Sequence, residues 1–66
     1  MKLDYDRETD CMTVVFIDNP VEESDEIRPG IILDFDVKGR MVGMEIMDAS
    51  QRMDNPASVE FLVKAE

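Results

Sequence analysis

The sequence contains no histidine and no tryptophan, a single cysteine, and only seven basic residues among its 66. With no His, and with Cys11 alone, no zinc-ligand spacing exists, and Cys11 cannot form a disulfide within the chain. The lack of imidazole also leaves Ser24, Ser50 and Ser58 without a base partner. Catalysis therefore has no visible machinery, no cofactor is implied, and the chain does not read as an enzyme. No apolar run approaches the roughly 18 residues of a membrane span, and nothing resembles a signal peptide, which points to a reducing, cytoplasmic home. The basic residues are scattered rather than clustered and face 16 acidic ones, for a formal net charge of −9. Such a chain repels phosphate backbones and anionic membranes, so neither nucleic acid nor a membrane is an expected partner, whereas a small basic protein is.

Sixty-six residues make one small domain, spanning 1–66. A domain of this size buries only about 60% of the surface its unfolded chain exposes. With neither disulfide nor metal available, association is the remaining reinforcement, and a homodimer is expected.

The stretch from Gly30 to Ser50 organises the rest. Ile31, Leu33, Phe35 and Val37 alternate with Ile32, Asp34 and Asp36, and Val42, Met44 and Ile46 alternate with Met41, Gly43 and Glu45. This period-two pattern predicts a β-hairpin with one buried face. A two-residue loop at Lys38-Gly39 sets Phe35 opposite Val42, Leu33 opposite Met44 and Ile31 opposite Ile46. A slip of one residue would waste the apolar face.

Around the hairpin, Lys2–Tyr5 reads as a first strand and Cys11–Ile17 as a second, with Met12, Val14 and Phe16 sharing the face of Leu3 and Tyr5. The acidic run from Val21 to Arg28 reads as a connection with a short edge strand near Asp25–Ile27. Asp48 lies three positions before Gln51, a capping-box-like spacing that predicts a helix of one or two turns. In the tail, Asn55-Pro56 argues for a helix, while the alternation of Val59, Phe61, Val63 and Ala65 favours a strand from Val59 to Lys64. The expected fold is α+β: an antiparallel meander of about four strands, a short helix after the central hairpin and a fifth strand at the C-terminus.

Two constellations stand out. Asp34, Asp36 and Glu45 share a hairpin face and are the only candidates for a divalent cation, on a flat surface that supplies little of the required geometry. No metal is expected there, and a small cation-binding regulator is the alternative to a protein-binding module. The second is apolar. Val15, Ile17, Ile32, Met41 and Met47 fall on the face opposite the predicted core, and form the expected partner-binding surface. A dimer mate, another protein or the C-terminal segment through Phe61 and Val63 would cover it.

The residues Tyr5-Asp6, Asp10, Gly30-Ile31-Ile32-Leu33-Asp34-Phe35-Asp36, Gly39-Arg40, Gly43-Met44-Glu45-Ile46 and Asp48-Ala49-Ser50 together resemble a family of small prokaryotic proteins catalogued as domain of unknown function 2283. The resemblance covers about residues 1 to 53 and departs at Thr13, where an aromatic is expected. It implies no activity, since the family has none established, and it carries over no functional residue. Members are often encoded beside small toxin-like proteins of a nuclease-related fold, which implies an antitoxin-like neutralising role. Most of the motif residues have a folding role on physical grounds, with Gly39 turning the hairpin, Gly43 lying opposite Asp34, and Asp48 capping the helix.

Overall fold

A computed structural model describes residues 1–65. It consists of five antiparallel strands and one helical turn: β1 Lys2–Asp6, β2 Cys11–Val15, β3 Glu23–Arg28, β4 Ile31–Phe35, β5 Met41–Ile46 and α1 Ala49–Arg52. The strands lie in the order β1-β2-β5-β4-β3. Strands β3, β4 and β5 form a meander, and the β1–β2 hairpin docks on the far side of β5, so the sheet is not the simple meander expected. The strand count also differs. The acidic run forms a full edge strand of six residues, while no strand forms at Val59–Lys64. Among the described residues the tail forms no backbone ladder with any strand, and pattern alone cannot make a strand.

The body of the central hairpin has the expected register, with Ile31 opposite Ile46, Ile32 opposite Glu45, Leu33 opposite Met44 and Asp34 opposite Gly43. Its tip does not. The Asp36 N–H donates to Arg40 O and the Gly39 N–H to Asp36 O, leaving a three-residue loop, Val37-Lys38-Gly39, with Gly39 at φ 80°. This is the alternative hairpin solution in which a turn ends on a glycine in the left-handed region. Phe35 then pairs with Met41 rather than Val42, and a bulge at Val42 returns the strands to register. The expectation of a two-residue loop fails because a bulge can absorb the extra residue without inverting the body of the strand. Val37 is left in solvent, and Val42 is 2% exposed. The same bulge meets β2, where the N–H groups of both Phe16 and Ile17 donate to Val42 O. That two-against-one pairing ends the second strand at Val15, short of the expected Ile17.

Elsewhere local chemistry explains the turns. Pro29-Gly30 joins β3 to β4, with Gly30 at φ 83° as the third position of a type II turn requires. Asp6 Oδ1 accepts from Glu8 N at 2.9 Å, an Asx turn that starts the β1–β2 loop.

The core lies on one face of the sheet. Met12 and Val14 from β2 cluster with Ala49 of α1, with Tyr5, Phe16, Met44, Ile46 and Met53 packed around them. Small Ala49, fully buried, lets the helical turn lie against the strands. The molecule is correspondingly thin, 37 × 33 × 18 Å, one sheet with a partial second layer.

Candidate functional site

Three polar nodes and one apolar groove are the distinctive features of the surface. The first node lies on the face opposite the core, where β4 and β5 set Asp34 beside bare Gly43 and one position from Glu45. Asp34 is 7% exposed and accepts a 2.6 Å hydrogen bond from Ser24 Oγ of β3. Gly43 makes room for it: a Cβ there would lie 3.4 Å from Asp34 Oδ2 and 3.0 Å from the Val14 carbonyl oxygen. The adjacent Asp34 carboxyl, as a hydrogen-bond partner for the protonated form, then burial, then its negative charge hold the Glu45 pKa above the ordinary carboxylate value. The two carboxyl groups form a close pair, which β5 brings together as the register predicts.

Asp36 does not join that pair. It sits at the hairpin tip, 6% exposed, and its Oδ1 accepts the N–H groups of Arg40 at 2.9 Å and Lys38 at 3.0 Å. Arg40 Nε bridges to Oδ2 at 3.0 Å. The Arg40 backbone N–H is the main reason its pKa falls below the usual value, opposed by burial and helped by the remaining donors. The three-residue loop draws Asp36 into turn formation and away from Asp34 and Glu45, so the expected three-carboxylate face is corrected to a couple and a separate turn anchor. Among the described residues no group of three or more His, Cys, Asp or Glu is placed to hold a metal ion.

The third node was not foreseen as such. Asp48 has φ 53° and makes no side-chain cap hydrogen bond; the capping carboxylate is Asp10, 40 residues before Ser50 in sequence. Asp10 O accepts from Ala49 N at 2.9 Å, Oδ1 from Ser50 N at 3.0 Å and Oδ2 from Ser50 Oγ at 2.7 Å. Tyr5 OH donates to the same Oδ1 at 2.7 Å. The Ser50 hydroxyl, then Tyr5, draw the Asp10 pKa down against partial burial. A capping-box spacing looks only at nearby residues, so it names Asp48 and misses a cap delivered by a loop.

The apolar residues expected to form one partner-binding surface are dispersed. Val15 and Ile32 are half-buried on the face opposite the core, in different rows of the sheet and separated by β5, with Gly43 beside Val15 and Glu45 beside Ile32. The bulge at Val42 puts Met41 opposite Phe35, and directly paired residues share a face, so Met41 turns to the core side. Met47 lies beyond the other end of β5, against Gly30, about 20 Å along the strand from Met41 at the usual rise per residue. Ile17 lies past the end of β2.

Apolar surface is instead concentrated on the core side, along β1. Val59, Phe61, Leu62 and Val63 are exposed, Phe61 at 72% and Val63 at 81%. The tail runs beside β1, where Met1, Leu3, Val59 and Phe61 line an open groove of about 500 Å³. None of the backbone groups of residues 59–65 makes a backbone–backbone hydrogen bond among the described residues. Phe61 and Val63 therefore do not cover the face opposite the core.

The profile of a family described as a protein of unknown function (DUF2283) matches residues 2–50. The chain belongs to the DUF2283 family. The match spans all five strands and ends inside α1, so all three polar nodes belong to the DUF2283 part, and the tail that lines the groove lies beyond it. No curated protein and no solved structure shows a significant match to the chain. Among the described residues no helix is long and apolar enough to cross a membrane.

Proposed function

We propose that this DUF2283 chain is a protein-binding module that acts by association, with itself and with a small basic protein that it neutralises. The observation that carries this reading is the groove along β1. Among the described residues only Met12, Val14, Val42 and Ala49 are buried apolar side chains, while Val59 and Phe61 of the tail stand in water beside Leu3. A contiguous exposed apolar patch on a small domain marks an interaction surface. The three polar nodes are already engaged in holding turns, strands and α1 together, which leaves the groove as the unsatisfied feature.

The net charge of −9 would steer a basic partner toward the chain and repel an acidic one. This supports the neutralising role that the family resemblance implies. Sedimentation of the wild type and of Leu3→Asp/Phe61→Asp, alone and after co-expression with a small basic toxin-like protein, tests the reading. The wild type is expected to exceed the 7.6 kDa of one chain in at least one condition, and the variant in neither. A wild type that stays at 7.6 kDa up to about 500 μM, far above specific affinities, and retains no partner would refute it.

A further inference from the structure

Resting on that association reading, we propose that two copies of the chain join edge to edge through β1, antiparallel about a twofold axis at Leu3. In this arrangement Lys2 of each copy faces Asp4 of the other, and Met1 faces Tyr5. The sheet has two open edges, β1 and β3. Strand β3 carries Glu23, Asp25 and Glu26, all exposed. Twofold registers centred on Ser24, Asp25 or Glu26 set Glu23 against Asp25, Asp25 against itself or Glu26 against itself. The register centred on Ile27, which would set Glu26 against Arg28, falls on the bulge between those two residues. Like charges directly opposite destabilise a pair of strands, so this edge resists joining its own copy.

Strand β1 reads differently. Leu3 and Tyr5 pair with Val14 and Met12 and share the core face, while Lys2 and Asp4 pair with Val15 and Thr13 on the other. An axis between residues would set core-face side chains opposite solvent-face ones, so the axis must pass through a residue. Centred on Lys2, the lysines oppose each other. Centred on Asp4, the aspartates do, and centred on Tyr5, Asp4 opposes Asp6. The register centred on Asp4 also sets Lys2 opposite Asp6, so the register centred on Leu3 is the one that pairs unlike charges with no like pair beside them, in two symmetric Lys2–Asp4 pairs. On the other face it sets Leu3 against Leu3 and Met1 against Tyr5. It also brings together the two grooves lined by Met1, Leu3, Val59 and Phe61, so the exposed apolar side chains of both copies gather at one seam. The ten strands then form a single sheet whose remaining edges are the two acidic β3 strands.

Single cysteines in a Cys11→Ser background read the register directly. Leu3→Cys is expected to give a disulfide-linked dimer on mild oxidation of the full chain, and Asp4→Cys to stay largely monomeric. Lys2→Glu is expected to weaken association about tenfold, by turning two attractive cross-strand pairs into repulsive ones, and Lys2→Glu/Asp4→Lys to restore it. Efficient cross-linking of Asp4→Cys but not Leu3→Cys would overturn the register. A wild-type dimer in which neither cysteine cross-links would overturn the β1 edge and leave association itself standing. A wild type monomeric at about 500 μM would overturn the self-association proposal, leaving a separate protein as the partner.

Discussion

Gly43→Ala tests how closely the central strands approach. A methyl group at this position would stand 3.0 Å from the Val14 carbonyl oxygen and 3.4 Å from Asp34 Oδ2. The carboxylate can rotate a few tenths of an ångström. The carbonyl cannot move as easily, because Val14 sits in β2, hydrogen-bonded between β1 and β5. Forcing a methyl into such a contact costs about 1–3 kcal/mol. Replacing glycine within a strand returns about 0.5–1 kcal/mol by restricting the unfolded chain. The balance is a destabilisation of about 1–2 kcal/mol, or a fall in melting temperature of about 5–15 °C for a domain of this size. Thermal and urea unfolding followed by circular dichroism would measure it. If the Val14 carbonyl dominates, the double variant Gly43→Ala/Asp34→Ala should show coupling below about 0.5 kcal/mol, and removing the carboxylate should rescue nothing. A Gly43→Ala protein as stable as the wild type would refute the close approach.

Other consequences follow from the same geometry. Val42→Ala should cost about 2 kcal/mol because it empties a fully packed site, whereas Val37→Ala, exposed at the loop, should stay within about 0.5 kcal/mol; equal effects would contradict the bulge. Gly39→Ala should destabilise through its positive φ by about 1 kcal/mol, with Gly39→Asn milder, since no atom crowds the site. Glu45 holds its proton more tightly when folded, so its contribution to stability is full below its ordinary value of 4.5 and is lost as pH rises through the raised folded value. Glu45→Gln should remove that part of the pH dependence, seen as a gain in stability relative to wild type at pH 7.5 that is absent near pH 4. Asp10 and Asp36 act in the opposite sense, contributing above their ordinary value of 3.8 and losing that contribution as pH falls through the lowered folded value. Asp10→Asn should therefore weaken the acid-side dependence.

The hairpin body was legible because both of its strands bury one face, and a slip would invert every side chain from Ile31 to Ile46. Its tip was not, because a bulge conceals an extra residue from any pattern with period two. The same concealed residue moved Met41 to the other face and drew Asp36 away from Asp34 and Glu45. Asp48 misled because capping rules search within one turn, while the cap came from Asp10. The acidic edge strand β3 lacks apolar alternation altogether; its backbone pairs with β4 although all of its residues are exposed. Val59–Ala65 shows the reverse, a strand pattern that forms no backbone ladder among the described residues.

Amide hydrogen exchange at two concentrations tests the central claim most directly, that association completes the β1 side of the sheet. At about 1 μM, a dilution chosen to favour the free chain, the outward amides of β1 and those of residues 59–65 should exchange with little protection. At about 300 μM the β1 amides and their neighbours in the tail should become protected, while the outward amides of β3 stay fast at both. Protection that appears along β3 instead, or exchange that is identical along β1 at both concentrations and in the presence of a basic partner, would contradict the account.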